Sequence, residues 1–193
     1  MMIYLNDQIE TFDLQAALGQ LSPQRLQQVE AFKPLLSKKL CAAAYLLLRQ
    51  GLQEEYGISE AVEFEYGEHG KPSLIGHPDI HFNLSHCREA AICVLSDQPV
   101  GVDIESIGRQ SERLMRYVLS DEEYEQVKRS SSPDVEFTCF WTKKESMLKL
   151  TGEGINTDLK LLLPAPYRFT TVVNEERGYV YTLCTAEGFS VRN

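Results

Sequence analysis

The stretch LSPQRLQQV, residues 21–29, returns as LSDEEYEQV at residues 119–127, with Leu, Ser, Gln and Val matched at one offset of 98. Each copy opens as a helix. Ser22 followed by Pro23 is a serine cap with proline at the first helical position. Ser120 with Glu123 is a capping box. Each short helix is followed by a longer apolar one, then a glycine, then strands. The shared order of elements, more than four identities, marks a duplicated half. The expected fold is therefore α+β: two similar α+β halves related by a pseudo-two-fold axis, divided as residues 1–97 and 98–193. A ligand cleft belongs between such halves.

Working outward, Ile3–Leu5 reads as a short strand. A second helix runs from Ser37 to about Tyr56 on the stripe Leu40, Ala44, Leu47 and Leu48, and Gly57 closes it. Val62–Tyr66 alternates as a strand, and residues 67–78 read as loop. Three strands follow, His81–Leu84, Ala90–Leu95 and Val100–Glu105. The turn Ser96-Asp97-Gln98-Pro99 predicts that the last two pair as a hairpin. The pattern turns helical again after Gly108. A long helix spans about Asp134 to Leu150 and ends at Gly152. Tyr167–Val173 and Tyr179–Thr185 close the chain as a hairpin.

The bulk numbers exclude several classes. With 43% apolar and 24% charged residues, the 193-residue chain is globular in composition rather than disordered. The longest apolar run, Leu40–Leu48, is too short to span a bilayer, and the opening MMIYLNDQIE has neither the basic flank nor the apolar core of a signal peptide. A cytoplasmic protein without membrane attachment is expected. Five cysteines form no C-x-x-C pair, so reduced, mostly buried thiols are expected. A formal charge of −9 disfavours nucleic acid. A phosphate-bearing ligand would need a local basic pocket or a metal ion.

Four stretches carry chemistry. In Gly101-Val102-Asp103-Ile104-Glu105, a strand sends Asp103 and Glu105 to one face. Paired carboxylates raise each other's pKa unless a cation lies between them, and hard oxygen ligands suit Mg²⁺. Alone, the same pattern also describes a solvated strand face. In FWTKKESMLKLTGEG, residues 140–154, Trp141, Glu145 and Lys149 share one helical stripe. A glutamate one turn from a large apolar ring calls for a partner, either Lys149 or a metal. His81-Phe82-Asn83-Leu84-Ser85-His86 ends a strand at a hydroxyl and an imidazole, suitable phosphate donors or an ordinary turn. Gly70-Lys71-Pro72 places a lysine in a rigid loop.

Taken in order, GKP, FNLSH, GVDIE and W-x-x-KE-x-x-x-K followed by G-x-G, the chain resembles the 4′-phosphopantetheinyl transferases. The likeness is to their long, pseudo-dimeric, surfactin-synthetase-activating type. The resemblance implies transfer of the phosphopantetheine arm of coenzyme A to a serine of an apo acyl or peptidyl carrier protein, releasing adenosine 3′,5′-bisphosphate. It implies Asp103, Glu105 and Glu145 as ligands of Mg²⁺, with Mn²⁺ as an alternative ion. Glu145 would also be the general base and Lys149 the pyrophosphate contact, with Lys144 beside it. Lys71, Ser85 and His86 would hold coenzyme A phosphates. For the nucleotide 3′-phosphate, Arg25 is the first candidate, with Lys38, Lys39 and Arg49 as others. Arg109, Arg113 and Arg116 are the proposed surface for an acidic carrier, Arg113 and Arg116 foremost, on a protein expected to be a monomer. Two rivals are another Mg²⁺-dependent enzyme of phosphate esters or anhydrides, and a non-catalytic carrier-binding module.

Overall fold

In the computed structural model, residues 1–153, 159–161 and 166–186 are described. Gly154, the last residue of the G-x-G motif, lies outside them. The first run of elements is β1 (Met2–Asn6), α1 (Leu14–Leu18), α2 (Pro23–Ala31), α3 (Leu35–Tyr56), β2 (Phe64–Tyr66), β3 (Pro72–Leu74), β4 (His81–His86) and β5 (Ala91–Ser96). The second is β6 (Val100–Ser106), α4 (Glu112–Val118), α5 (Asp121–Arg129), α6 (Pro133–Thr151), β7 (Tyr167–Asn174) and β8 (Tyr179–Ala186). It is a mixed helix and sheet fold, as expected.

The two runs repeat one plan. One sheet has the order β1-β5-β4 and the other β6-β8-β7, so in each the first strand pairs with the last and the last with the one before it, all antiparallel. The duplicated serines cap their helices alike: Ser22 accepts from the Arg25 N–H and Ser120 from the Glu123 N–H, each at 3.2 Å. Glu123 completes the box by accepting from the Ser120 N–H at 2.8 Å. Both long helices end on a left-handed glycine, Gly57 at φ 69° and Gly152 at φ 75°, a backbone region that costs glycine nothing.

The layers run helix, sheet, sheet, helix. Along β5, Ala91, Cys93 and Leu95 pack under α3, while Ile92 and Val94 meet Val102, Ile104 and Leu183 of the other sheet. A strand buried on both faces reads as the unbroken apolar run AICVL. On the far side α6 lies against β6 so closely that a Cβ on Gly101 would sit 1.9 Å from the Ser146 carbonyl oxygen.

Two expectations are corrected. β5 and β6 form no hairpin. Both edges of β5 are taken by β1 and β4, and β6 pairs with β8, so residues 97–99 cross from one sheet to the other. Within the expected loop 67–78, Pro72–Leu74 is a strand paired with β2, its proline at the strand's first position. β2 lies within the expected strand Val62–Tyr66, whereas the three residues of β3 are too few to show a period.

Gly101→Ala forces Ser146, and with it α6, away from β6. Overpacking against backbone costs about 1–3 kcal/mol, and urea denaturation is expected to show a midpoint lowered accordingly with an unchanged slope.

Candidate active site

Where the two sheets adjoin, β6 has no strand partner on its outer edge among the described residues. Its backbone N–H groups at Val102 and Ile104 donate instead to side chains of β4, to Asn83 Oδ1 at 3.1 Å and Ser85 Oγ at 3.3 Å. Alternation along FNLSH makes this possible: Phe82 and Leu84 turn into the α3 core, and Asn83 and Ser85 turn toward β6. The seam is therefore tied by side chains, and a cavity of about 490 Å³ opens beside it.

Residues of both halves line this cavity. Arg25, Gln28 and Cys41 come from α2 and α3, and Ser85 and His86 from β4. Asp103 and Glu105 come from β6, and Trp141, Glu145 and Lys149 from α6. The helical stripe read from the sequence is realised, with its three side chains facing one space. Lys149 Nζ lies 2.6 Å from Asp103 Oδ1 and donates to Ser85 Oγ at 2.8 Å. Ser85 donates its one hydroxyl hydrogen to Asp103 Oδ1 at 2.9 Å. That hydroxyl, with both acceptor positions and its donor engaged, orients Asp103 rather than standing free for a phosphate. The Trp141 indole N–H donates to Glu105 Oε1 at 3.1 Å.

Negative charge exceeds positive among these groups. Burial, and then Asp103, push Glu145 above the usual carboxylate range, with Lys149 opposing. Burial and Asp103 raise Glu105 likewise, against the indole hydrogen bond. His86 is lowered, by burial first and by the Lys149 charge second. Two buried oxygens, Asp103 Oδ2 and Glu145 Oε1, have no hydrogen-bond partner. Hard oxygen donors, orphaned acceptors and surplus charge together fit a divalent cation such as Mg²⁺. The three carboxylates do not stand ready-assembled, however. Among the described residues no group of three or more His, Cys, Asp or Glu side chains is close enough to hold an ion. Instead Lys149 holds Asp103 and Trp141 holds Glu105.

Arg25 is the buried cation that α2 brings to this cavity, 8% exposed. Its guanidinium lies over the rings of Tyr45 and Phe64 at 5.2 and 4.9 Å and donates to Cys41 Sγ at 3.3 Å. Among the described residues it meets no carboxylate. The other basic candidates fare differently. Lys71 donates to the Leu150 carbonyl at 2.6 Å, capping the end of α6, beside a second, smaller cavity that Glu145 and Lys149 also line. Burial lowers its pKa. Lys39 holds the carbonyls of Ile9 and Glu10, and Arg49 those of Gln20 and Ser59. Lys38 lines neither cavity. Lys144 is wholly buried, its ammonium on Glu123 Oε2 at 2.6 Å and on the carbonyls of Val118 and Leu159 at 3.0 and 2.8 Å. With three donors engaged, Lys144 does not face the cavity, which corrects its assignment as a coenzyme A contact. Lys39 and Arg49, each held on two backbone carbonyls, line neither cavity. Asn83 was missed; its signal was the i, i+2 spacing from Ser85 on a strand.

The sequence profile of the 4′-phosphopantetheinyl transferase superfamily matches residues 99–190, the stretch holding Asp103, Glu105, Glu145 and Lys149. The chain belongs to that superfamily. It is similar to the 4′-phosphopantetheinyl transferase HetI of Nostoc, at 32% identity over 77% of this chain and 66% of the relative. It is also similar to Sfp of Bacillus subtilis, at 26% over 81% of this chain and 71% of the relative. A further Bacillus subtilis 4′-phosphopantetheinyl transferase matches at 31% over 59% of this chain and 52% of its own length. The chain thus spans between about half and seven-tenths of these relatives.

Raised carboxyl values mean that the folded state holds protons more readily than the unfolded one, so their contribution to stability falls as pH rises through the carboxylate range. Glu145→Gln removes such a charge. Thermal melting at pH 7 is expected to give a higher Tm for the variant than for the wild type, a gap that closes toward about pH 4. A lower Tm at pH 7 contradicts this account.

Proposed function

We propose that the chain transfers the 4′-phosphopantetheine arm of coenzyme A to a serine of an apo acyl or peptidyl carrier protein. The observation that carries this reading is the meeting of two features in one seam cavity: three carboxylates with Lys149 from the second half, and from the first the buried Arg25, which meets no carboxylate among the described residues. A ligand suited to both has phosphates at two separated points, as coenzyme A does. Superfamily membership supports the same reading, as does the duplicated strand order, which favours the long, two-half type divided at residues 97 and 98.

Asp103, Glu105 and Glu145 would hold Mg²⁺, which when bound supplies charge neutralisation at the pyrophosphate. Lys149 leaves Asp103 for a pyrophosphate oxygen and stabilises charge developing there. Arg25 binds the 3′-phosphate, with His86 at the rim. Glu145 accepts the proton of the attacking serine. The serine oxygen–phosphorus bond forms as the bond to adenosine 3′,5′-bisphosphate breaks. A carboxylate that also helps hold a cation is a weak base, so this role rests on close placement beside the serine hydroxyl.

The carrier meets the second half at α4, where Arg113 and Tyr117 are exposed. Arg116 is partly engaged already, paired with Glu112 at 3.0 Å and lying over the Tyr124 ring, and Arg109 is exposed on the approach to α4. Among the described residues no helix is long and apolar enough to cross a membrane. A monomer acting in the cytoplasm is part of the same proposal.

Incubation with coenzyme A, Mg²⁺ and a panel of apo carriers is expected to yield carriers heavier by one phosphopantetheine arm in mass spectrometry; no transfer to any carrier rejects the reading. Lys149→Ala is expected to lower kcat by about 10²–10³-fold. Arg113→Glu is expected to raise the carrier KM more than Arg116→Glu does, with the coenzyme A KM unchanged in both.

A further inference from the structure

Lys144 stands next to Glu145 in sequence but faces away from it, and its environment has a counterpart in the other half. Arg49 precedes the closing Gly57 of α3, and Lys144 the closing Gly152 of α6, by the same eight positions. Arg49 donates to the Gln20 carbonyl at 2.7 Å and the Ser59 carbonyl at 2.6 Å. Lys144 donates to the Val118 and Leu159 carbonyls. Gln20 and Val118 are themselves related by the offset of 98 that relates Ser22 to Ser120, and each lies two residues before its serine cap. In both halves a cation on the long helix thus ties the chain just before the short helix to a segment that follows the long one.

From this repeat we propose that Lys144 is a positioning residue, the second copy of a cationic latch whose first copy is Arg49. In the second half the latch sets the rotation of α6. Consecutive helical residues diverge by about 100°, so anchoring Lys144 on one side fixes the direction of Glu145 and, a turn later, Lys149. Other contacts also locate α6, among them the bare Gly101 beneath Ser146, Lys71 on the Leu150 carbonyl and Thr142 on Thr182 of β8 at 2.8 Å. Lys144 adds to these a buried off-axis ion pair on the side of α6 turned away from the cavity. The Lys144 latch also carries an addition the Arg49 latch lacks. Glu123 stands at the position equivalent to Arg25 and joins Lys144 at 2.6 Å, closing the second latch with a buried charge pair. At that position the first half instead sends its cation, Arg25, into the cavity. One duplicated site has become a ligand group in one half and a brace in the other.

The inference rests on the transferase reading, and wild-type transfer tests that reading separately. With wild-type activity established, Lys144→Met, Glu123→Gln and Arg49→Met are compared by thermal melting and by steady-state kinetics well below each Tm. All three are expected to melt lower. Lys144→Met is expected to lose about tenfold or more in kcat, with the coenzyme A KM held within about twofold. Glu123→Gln is expected to move the same way by less, and Arg49→Met to leave kcat within about twofold. Should Lys144→Met fail to fold, Glu123→Gln carries the kinetic test. A raised coenzyme A KM with kcat intact makes Lys144 a coenzyme contact and overturns the proposal. Equal kcat in all three variants makes the latch structural alone and overturns it too.

Discussion

The molecule depends on a seam without a ladder. An edge strand buried inside a protein needs partners for its outward N–H groups, because an unmet buried amide costs about 1–3 kcal/mol. β6 finds them in the side chains of Asn83 and Ser85. Had a backbone ladder formed there, strands at a spacing of about 4.8 Å would have closed the two sheets into one, with the edge of β6 sealed. Side-chain ties hold the sheets together while leaving room beside them. The cavity lies at that place, and Ser85, which ties the seam, also orients Asp103.

The same residues explain how carboxylates come to be crowded. Gly101 lets α6 approach β6 to backbone contact, so Asp103 and Glu105 on the strand face Glu145 and Lys149 on the helix. Removing Gly101's small size would relax the crowding, and with it the raised carboxyl values. Crowding and close packing are here one feature seen in two ways. Trp141, half-buried, belongs to it as well. Its ring stacks near Phe137, and its N–H satisfies Glu105.

Much of this was legible in the sequence because it is local or periodic. The two capped helices, their glycine stops, the strand that pairs Asp103 with Glu105 and the stripe Trp141, Glu145 and Lys149 all follow from spacing alone. What escaped is set by distant partners. Nothing local says that β5 will fill both its edges and refuse β6. Nor does spacing reveal that the Lys144 ammonium meets Glu123 and two carbonyls from other segments, since a lysine before a glutamate on a helix looks the same whether it faces solvent, ligand or core. The fate of Lys39 and Arg49 was hidden for the same reason. Ser85 was recognised as important for a donor role, and its actual bonds are mostly to the protein.

The repeated plan of elements supplies the link between these two kinds of information. The halves keep what folding needs, the serine caps, the glycine stops, the strand order and a cation eight residues before the stop. They diverge where the cavity is. At the third position of the short helix one half carries Arg25 and the other Glu123. On the long helix, the positions equivalent to Glu145 and Lys149 are Gln50 and Glu54, which bond each other at the surface. A fold needs each half's core but only one set of reacting groups. Destabilising charges could therefore accumulate on one long helix while its twin stayed an ordinary packed element. The buried carboxylates of the second half are tolerated because two sheets and two helices, packed across a common core, hold them in place.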